Sequence, residues 1–89
     1  MEFEFDTLKS RRNKLKHGLD FYEAQALWGD PHYLEVPART QIEPRWLIIG
    51  RIAQVHYSAI VTYRDEKIRL ISVRRARKEE VRIYESSRF

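Results

Sequence analysis

Four cations, Arg74, Arg75, Arg77 and Lys78, crowd the point where the strand-like run IRLISV, residues 68 to 73, gives way to a helix-like run through Tyr84. Several guanidinium forks beside the unpaired N–H groups of a helix start can hold a phosphate bidentately. The same cations also cost stability. A helix N-terminus already carries roughly half a positive charge, and each exposed cation beside it costs on the order of 0.3–1 kcal/mol. Glu79 and Glu80 offset part of this, and Arg75 and Glu79 have i,i+4 spacing. A solvated, self-neutralising helix face is therefore the competing reading.

A second basic block, KSRRNKLKH from Lys9 to His17, offers a surface that could follow a phosphate backbone. Such contacts give affinity without sequence information. His17, His32 and His56 fall on different elements with no carboxylate pattern beside them, so no metal site is expected. The absence of cysteine excludes disulfides, thiolate metal sites and cysteine nucleophiles.

The elements that must position these groups read as β-α-α-β-β-β-β-α. Phe3 and Phe5 alternating with Glu2 and Glu4 predict a strand over residues 2 to 5. Asp6 or Thr7 can cap a helix that runs to His17 and stops at Gly18, with Leu8 and Leu15 as its buried stripe. Asp20 and Glu23 have capping-box spacing, Leu19 can staple onto Ala24, and a second helix is expected over 21 to 28 before Gly29 and Pro31. The periodicity then becomes two. A short strand at 33 to 36 and a polar loop from Pro37 to Pro44 precede RWLIIGRI, VHYSAIVTY and KIRLISVRR, with turns near Ala53-Gln54 and Arg64-Asp65-Glu66. Short connections imply an antiparallel meander. A last helix from Ala76 to Tyr84 places Val81 and Tyr84 on one side, with the Arg77 stem along it, and SSRF frays at the end. The helices most simply cover one face of one sheet.

Simple alternation puts Ile68, Leu70, Ser72 and Arg74 on one face of the last strand and Arg69, Ile71, Val73 and Arg75 on the other. Arg45 and Arg51 share a face with Leu47 and Ile49, and Tyr57 and Tyr63 share one with Ala59 and Val61. An open sheet face could gather several of these arginines and tyrosines. A strand arginine can also snorkel at a sheet margin.

Composition is that of one folded domain over residues 1–89, with 34% charged and 43% hydrophobic residues and a formal charge of +4. The excess favours a polyanion or an acidic protein. The acidic start MEFEFD is unlike a signal peptide, and the longest apolar run, Trp46 to Ile49, is far short of the ~20 residues of a membrane span. A cytoplasmic protein with no membrane partner is expected.

Several pieces, in order and over nearly the whole chain, resemble the BrnT family. They are FD at 5 to 6, NKLKHGLDF at 13 to 21, EAQALWGDP at 23 to 31, Arg45 ahead of a strand containing Gly50, and IRLISVRRARKEEVRIYE at 68 to 85. The most specific are the stop Lys16-His17-Gly18 and the strand end Ile71-Ser72-Val73-Arg74, followed by Ala76 and a helix with Glu80 and Tyr84. The resemblance implies a RelE-like α+β fold with an antiparallel meander, two N-terminal helices and one C-terminal helix. It also implies a ribonuclease toxin that arrests translation and is neutralised by a BrnA-type ribbon-helix-helix antitoxin, with operator DNA met only through that complex.

Cutting RNA without a metal needs a base for the 2′-hydroxyl, cations for the charged phosphorane and an acid for the leaving oxygen. RelE-like enzymes lean on Arg, Lys and Tyr for this, and neither cofactor nor metal is expected. Arg69, Arg74 and Arg75 are the expected phosphate binders, and His17, beside Lys14, the base or acid. His17 equally suits a helix C-terminus as a cation. Tyr63 could stack a base or donate a proton, or simply belong to the core. RNA contacts are expected from Arg12, Lys14, Lys16, Arg51, Arg77 and Lys78, with Glu80 and Tyr84 orienting arginines or packing the last helix. A catalytically silent nucleic-acid-binding or antitoxin-binding protein acting in operon autoregulation would need the same basic surfaces and no base.

Overall fold

The computed structural model describes residues 1–39 and 42–88, and in it the alternating segments build one five-stranded sheet. Its strands are β1 (Glu2–Glu4), β2 (Leu34–Ala38), β3 (Arg45–Ile52), β4 (Val55–Arg64) and β5 (Lys67–Arg75), ordered β1-β5-β4-β3-β2. Strands β2 to β5 form the antiparallel meander, and β1 adds to β5 in parallel, pairing Glu2 to Glu4 with Lys67 to Arg69. Both long hairpins turn where expected. Ala53 and Gln54 (φ 50° and 69°) and Asp65 and Glu66 (φ 49° and 66°) take the left-handed backbone that matches the twist of the flanking strands. Pro37 lies inside β2, an edge strand that can spare its N–H, so β2 takes the first two residues of the expected loop. The remainder of that loop includes Thr40 and Gln41, which lie outside the described residues.

Asp6 caps α1 (Thr7–His17) by accepting from the N–H groups of Leu8 and Lys9, and Gly18 ends it at φ 81°. The buried stripe is not the expected one. Leu8 and Leu15 are exposed, and Ser10 and Asn13 face the protein instead. Their polar groups serve backbone that would otherwise be orphaned. Ser10 Oγ accepts from Phe21 N at 2.9 Å, and Asn13 bonds the β5 edge beyond the reach of the short β1.

The segment expected as a second α-helix is a 3₁₀ helix over Glu23–Gly29. The capping pair is as expected: Asp20 N donates to Glu23 at 3.0 Å and Glu23 N donates to Asp20 at 2.7 Å. Three residues per turn align Ala24 with Leu27, both fully buried. These two join Leu19, Phe21, Ile48, Ala59, Val61, Ile68, Leu70 and Val73 in the core on one sheet face.

The last helix, α2 (Lys78–Ser87), packs on the opposite face, so the expectation that all helices cover one side is corrected. Its buried Tyr84 donates to Asp30 Oδ2 at 2.6 Å, while Asp30 also accepts from Arg51 N at 2.8 Å. Burial and then the carboxylate push the Tyr84 phenol up to about 12. Gly50 allows this approach, because a Cβ there would stand 3.1 Å from Leu27 and 3.4 Å from Asp30. Arg77 is the N-cap of α2 and exposed, not a stem along its flank. Ser86 and Ser87 belong to the helix, and Phe89 lies outside the described residues. Among the described residues no helix is long and apolar enough to cross a membrane.

Candidate active site

Unbroken alternation would place Arg69 and Arg74 on opposite faces of β5. The register breaks between Ile60 and Val61: Ile60 pairs with Ser72 and Val61 with Leu70, leaving Ile71 as an extra residue. That bulge returns Val73 to the core and rotates Arg74 onto the face of Arg69, opposite Ser58 and Thr62 respectively. Arg75 is opposite Tyr57 on the core face. The two neighbouring arginines therefore still diverge, and the bulge reassigns which arginines share a side.

Neither Arg69 nor Arg74 is free. Arg69 pairs with Glu4 at 2.7 Å, a contact created by the parallel β1. Arg74 forms a fork with Glu80 at 2.8 and 2.9 Å, and Glu80 also accepts from Ser58 Oγ and Arg77 N, both at 2.8 Å. The expected i,i+4 partner of Arg75, Glu79, is thus passed over for an Arg74–Glu80 pair that ties β5 and β4 to the first turn of α2. Arg74, and secondarily Arg77 N–H and Ser58, hold the Glu80 carboxyl down to about 2 against partial burial, from an ordinary 4.5.

A depressed carboxylate adds stability that is complete above its unfolded value and lost as pH falls through its folded one. Glu80 should therefore contribute on the order of 2 kcal/mol at neutral pH, after discounting for partial exposure, and lose it between about pH 5 and pH 2. Urea unfolding at pH 7 and pH 2.5 is expected to show a correspondingly steeper acid loss in the wild type than in Glu80→Gln. Equal pH dependence of the two proteins would rule the contribution out.

Behind that fork, the β3–β4 hairpin and α2 assemble a second group. His56 stands directly opposite Arg51 in the β3–β4 ladder, and its Nε2 lies 2.8 Å from Glu85 Oε2. Arg51 reaches the same carboxylate at 4.0 Å. His56, and then Arg88, hold the Glu85 carboxyl below its usual range. An ionised carboxylate only accepts, so it selects the tautomer with the proton on Nε2 and leaves Nδ1 as the acceptor nitrogen. The Tyr84 ring meets the imidazole edge-on at 5.2 Å and fixes its plane. Beside it opens a depression of about 270 Å³ lined by Gln54, Val55, His56, Arg75, Ala76 and Val81. Among the described residues, none of the ion pairs uses Arg75, Arg77 or Lys78. An oriented imidazole that lines the same depression as Arg75 can take a proton from a group seated there.

The reading of His56 as lacking a carboxylate is therefore corrected by Glu85, whose place on α2 became clear only with the helix's true end. Arg75 and Arg51 join His56 at the junction, and Arg77 and Lys78 are exposed at the start of α2. Other expected site residues lie elsewhere. Tyr63 pairs with Ile68 at the far end of β4, and its hydroxyl bonds Glu35; burial and that bond raise its phenol. His17 closes α1 and does not line the depression. Lys14 pairs with Glu23 at 2.8 Å, while Arg12 and Lys16 are exposed on α1.

The family model described as ribonuclease toxin, BrnT, of type II toxin-antitoxin system matches residues 5–80. No curated protein matches the chain.

Proposed function

The chain belongs to this BrnT family of type II toxin–antitoxin ribonuclease toxins, and from that premise we propose that it is a metal-independent endoribonuclease whose cleavage centre is the β5–α2 junction. One observation carries the reading: His56, with Nε2 engaged by Glu85 at 2.8 Å, lines the same depression as the unpaired Arg75. Nδ1 of His56 takes the proton of a ribose 2′-hydroxyl. The 2′-oxygen forms a bond to the adjacent phosphorus, and the bond from phosphorus to the 5′-oxygen breaks. The 5′-oxygen takes a proton from solvent, leaving a 2′,3′-cyclic phosphate and a 5′-hydroxyl.

Arg75, supported by Arg51, faces the charge that grows on the phosphorane, where preorganised cations act most strongly. Lys78 and Arg77 extend the cationic rim, while Lys16 and Arg12 of α1 can follow the RNA backbone. Arg74 and Glu80 hold the strand-to-helix turn in place, and Arg69 braces β1. Cleavage arrests translation in the cytoplasm. A BrnA-type ribbon-helix-helix antitoxin neutralises the enzyme and carries it to operator DNA.

The test is incubation of purified protein with end-labelled RNA in EDTA. Cleavage is expected to persist with 2′,3′-cyclic phosphate ends. Cleavage that appears only with a divalent cation would overturn metal independence, and uncut RNA with a retained gel shift in every condition would leave a binding protein without catalysis.

A further inference from the structure

Helix α1 turns polar residues inward and leucines outward. Ser10 and Asn13 are buried against Phe21, Leu19 and β5, while Leu8 is 58% and Leu15 90% exposed. Leu8, Arg11, Arg12 and Leu15 recur at spacings of three, four and seven, which is one helical face, and it lies opposite Ser10 and Asn13. Seven residues of helix separate the leucines by about 10 Å. The helix carries five cations, Lys9, Arg11, Arg12, Lys14 and Lys16, and no acidic residue. Nothing from α1 lines the junction depression.

Among the described residues, no contact within the molecule accounts for that pair of leucines. An RNA backbone would use the arginines and leave the leucines in water. A second copy of this chain would set two strongly cationic helices against each other, a like-charge juxtaposition that disfavours association. An acidic segment with apolar residues two helical turns apart satisfies both features, burying the leucines and pairing the arginines.

We propose that the outer face of α1 docks an acidic amphipathic segment of the antitoxin protein, with Leu8 and Leu15 entering its apolar stripe and Arg11 and Arg12 meeting its carboxylates. This rests on reading the chain as a toxin held by a protein antitoxin. It adds a docking surface separate from the cleavage centre.

The probe is a BrnA-type ribbon-helix-helix protein with an acidic amphipathic segment, titrated calorimetrically into the full chain. Removing each leucine anchor is worth roughly tenfold in affinity, so Leu8→Ser with Leu15→Ser is expected to weaken binding by about 100-fold. RNA cleavage and Tm should stay at wild-type values, because both side chains are exposed. Arg11→Glu with Arg12→Glu should also weaken binding, by a factor that shrinks as salt rises. Undiminished binding by the leucine variant would overturn the docking surface while leaving the nuclease reading intact. A weakened RNA gel shift in the leucine variant would make Leu8 and Leu15 RNA contacts and overturn the inference too. A wild type that cleaves RNA but fails to bind the probe would overturn both this inference and the antitoxin clause of the proposed function.

Discussion

His56→Ala is expected to lower RNA cleavage by about 10²–10⁴-fold, the usual worth of a positioned general base, while leaving RNA binding nearly unchanged. The split follows from the roles assigned at the junction. On the proposed roles, RNA binding rests on several cations spread over α1, β5 and α2, whereas proton removal rests on one ring nitrogen. Glu85→Gln should lose less, about tenfold, because the imidazole stays in place but the preference for the Nε2 proton weakens. Added imidazole should restore part of the activity of His56→Ala and none of that of Arg75→Ala, since only the first defect is a missing proton acceptor. His17→Ala is the control, as His17 closes α1 and lines no part of the depression. If His17→Ala abolished cleavage and His56→Ala cleaved like wild type, the chemistry would belong to the end of α1 and the proposed centre would be wrong. The wild-type Tm in His56→Ala would separate a chemical loss from an unfolded one, because the side chain also packs against Tyr84.

How far the sequence reaches is clearest along β5. Alternation, turn residues and the Gly18 stop are local signals, and the three long strands, both hairpin turns and the end of α1 fall where those signals place them. The extra residue at Ile71 has no local signature: it contains no glycine and interrupts an apolar run without changing its composition. Yet it alone decides that Arg69 and Arg74 share a face. The parallel pairing of β1 is equally silent, being a contact between chain ends, and it supplies the Glu4 that occupies Arg69. His56 and Glu85 stand 29 residues apart and meet only because α2 crosses the face opposite the core. Arginine clustering drew attention to the β5–α2 junction, but which of its arginines is left outside an ion pair depended on register and on the position of α2.

Asn13→Ala is expected to cost about 3 kcal/mol, a large share of the ~5–13 kcal/mol that a domain of this size holds. The reason lies in the shortness of β1. It covers β5 only from Lys67 to Arg69, and past that point the outer edge of β5 needs other partners. Asn13 provides them: Oδ1 accepts from Val73 N at 3.2 Å, and Nδ2 donates to Val73 O at 2.8 Å and to Leu19 O at 2.7 Å. One amide thus serves as a surrogate strand and ties α1 and the following loop to the sheet edge. Alanine leaves three backbone groups to whatever water can reach a site where Asn13 is buried and Val73 is fully buried. At about 4–8 °C per kcal/mol for a domain of this length, Tm should fall by roughly 10–25 °C. Hydrogen exchange at the Val73 amide should accelerate more than at Ala59 on the central strand, since the damage begins at the edge. Asn13→Asp keeps the acceptor and replaces the two donations with a charge facing two carbonyl oxygens. Only its protonated form can donate to one of them, so its deficit relative to wild type should narrow as pH falls. A Tm change under about 3 °C for Asn13→Ala would mean that water substitutes for the amide, and the inward turn of Ser10 and Asn13 would then need another cause.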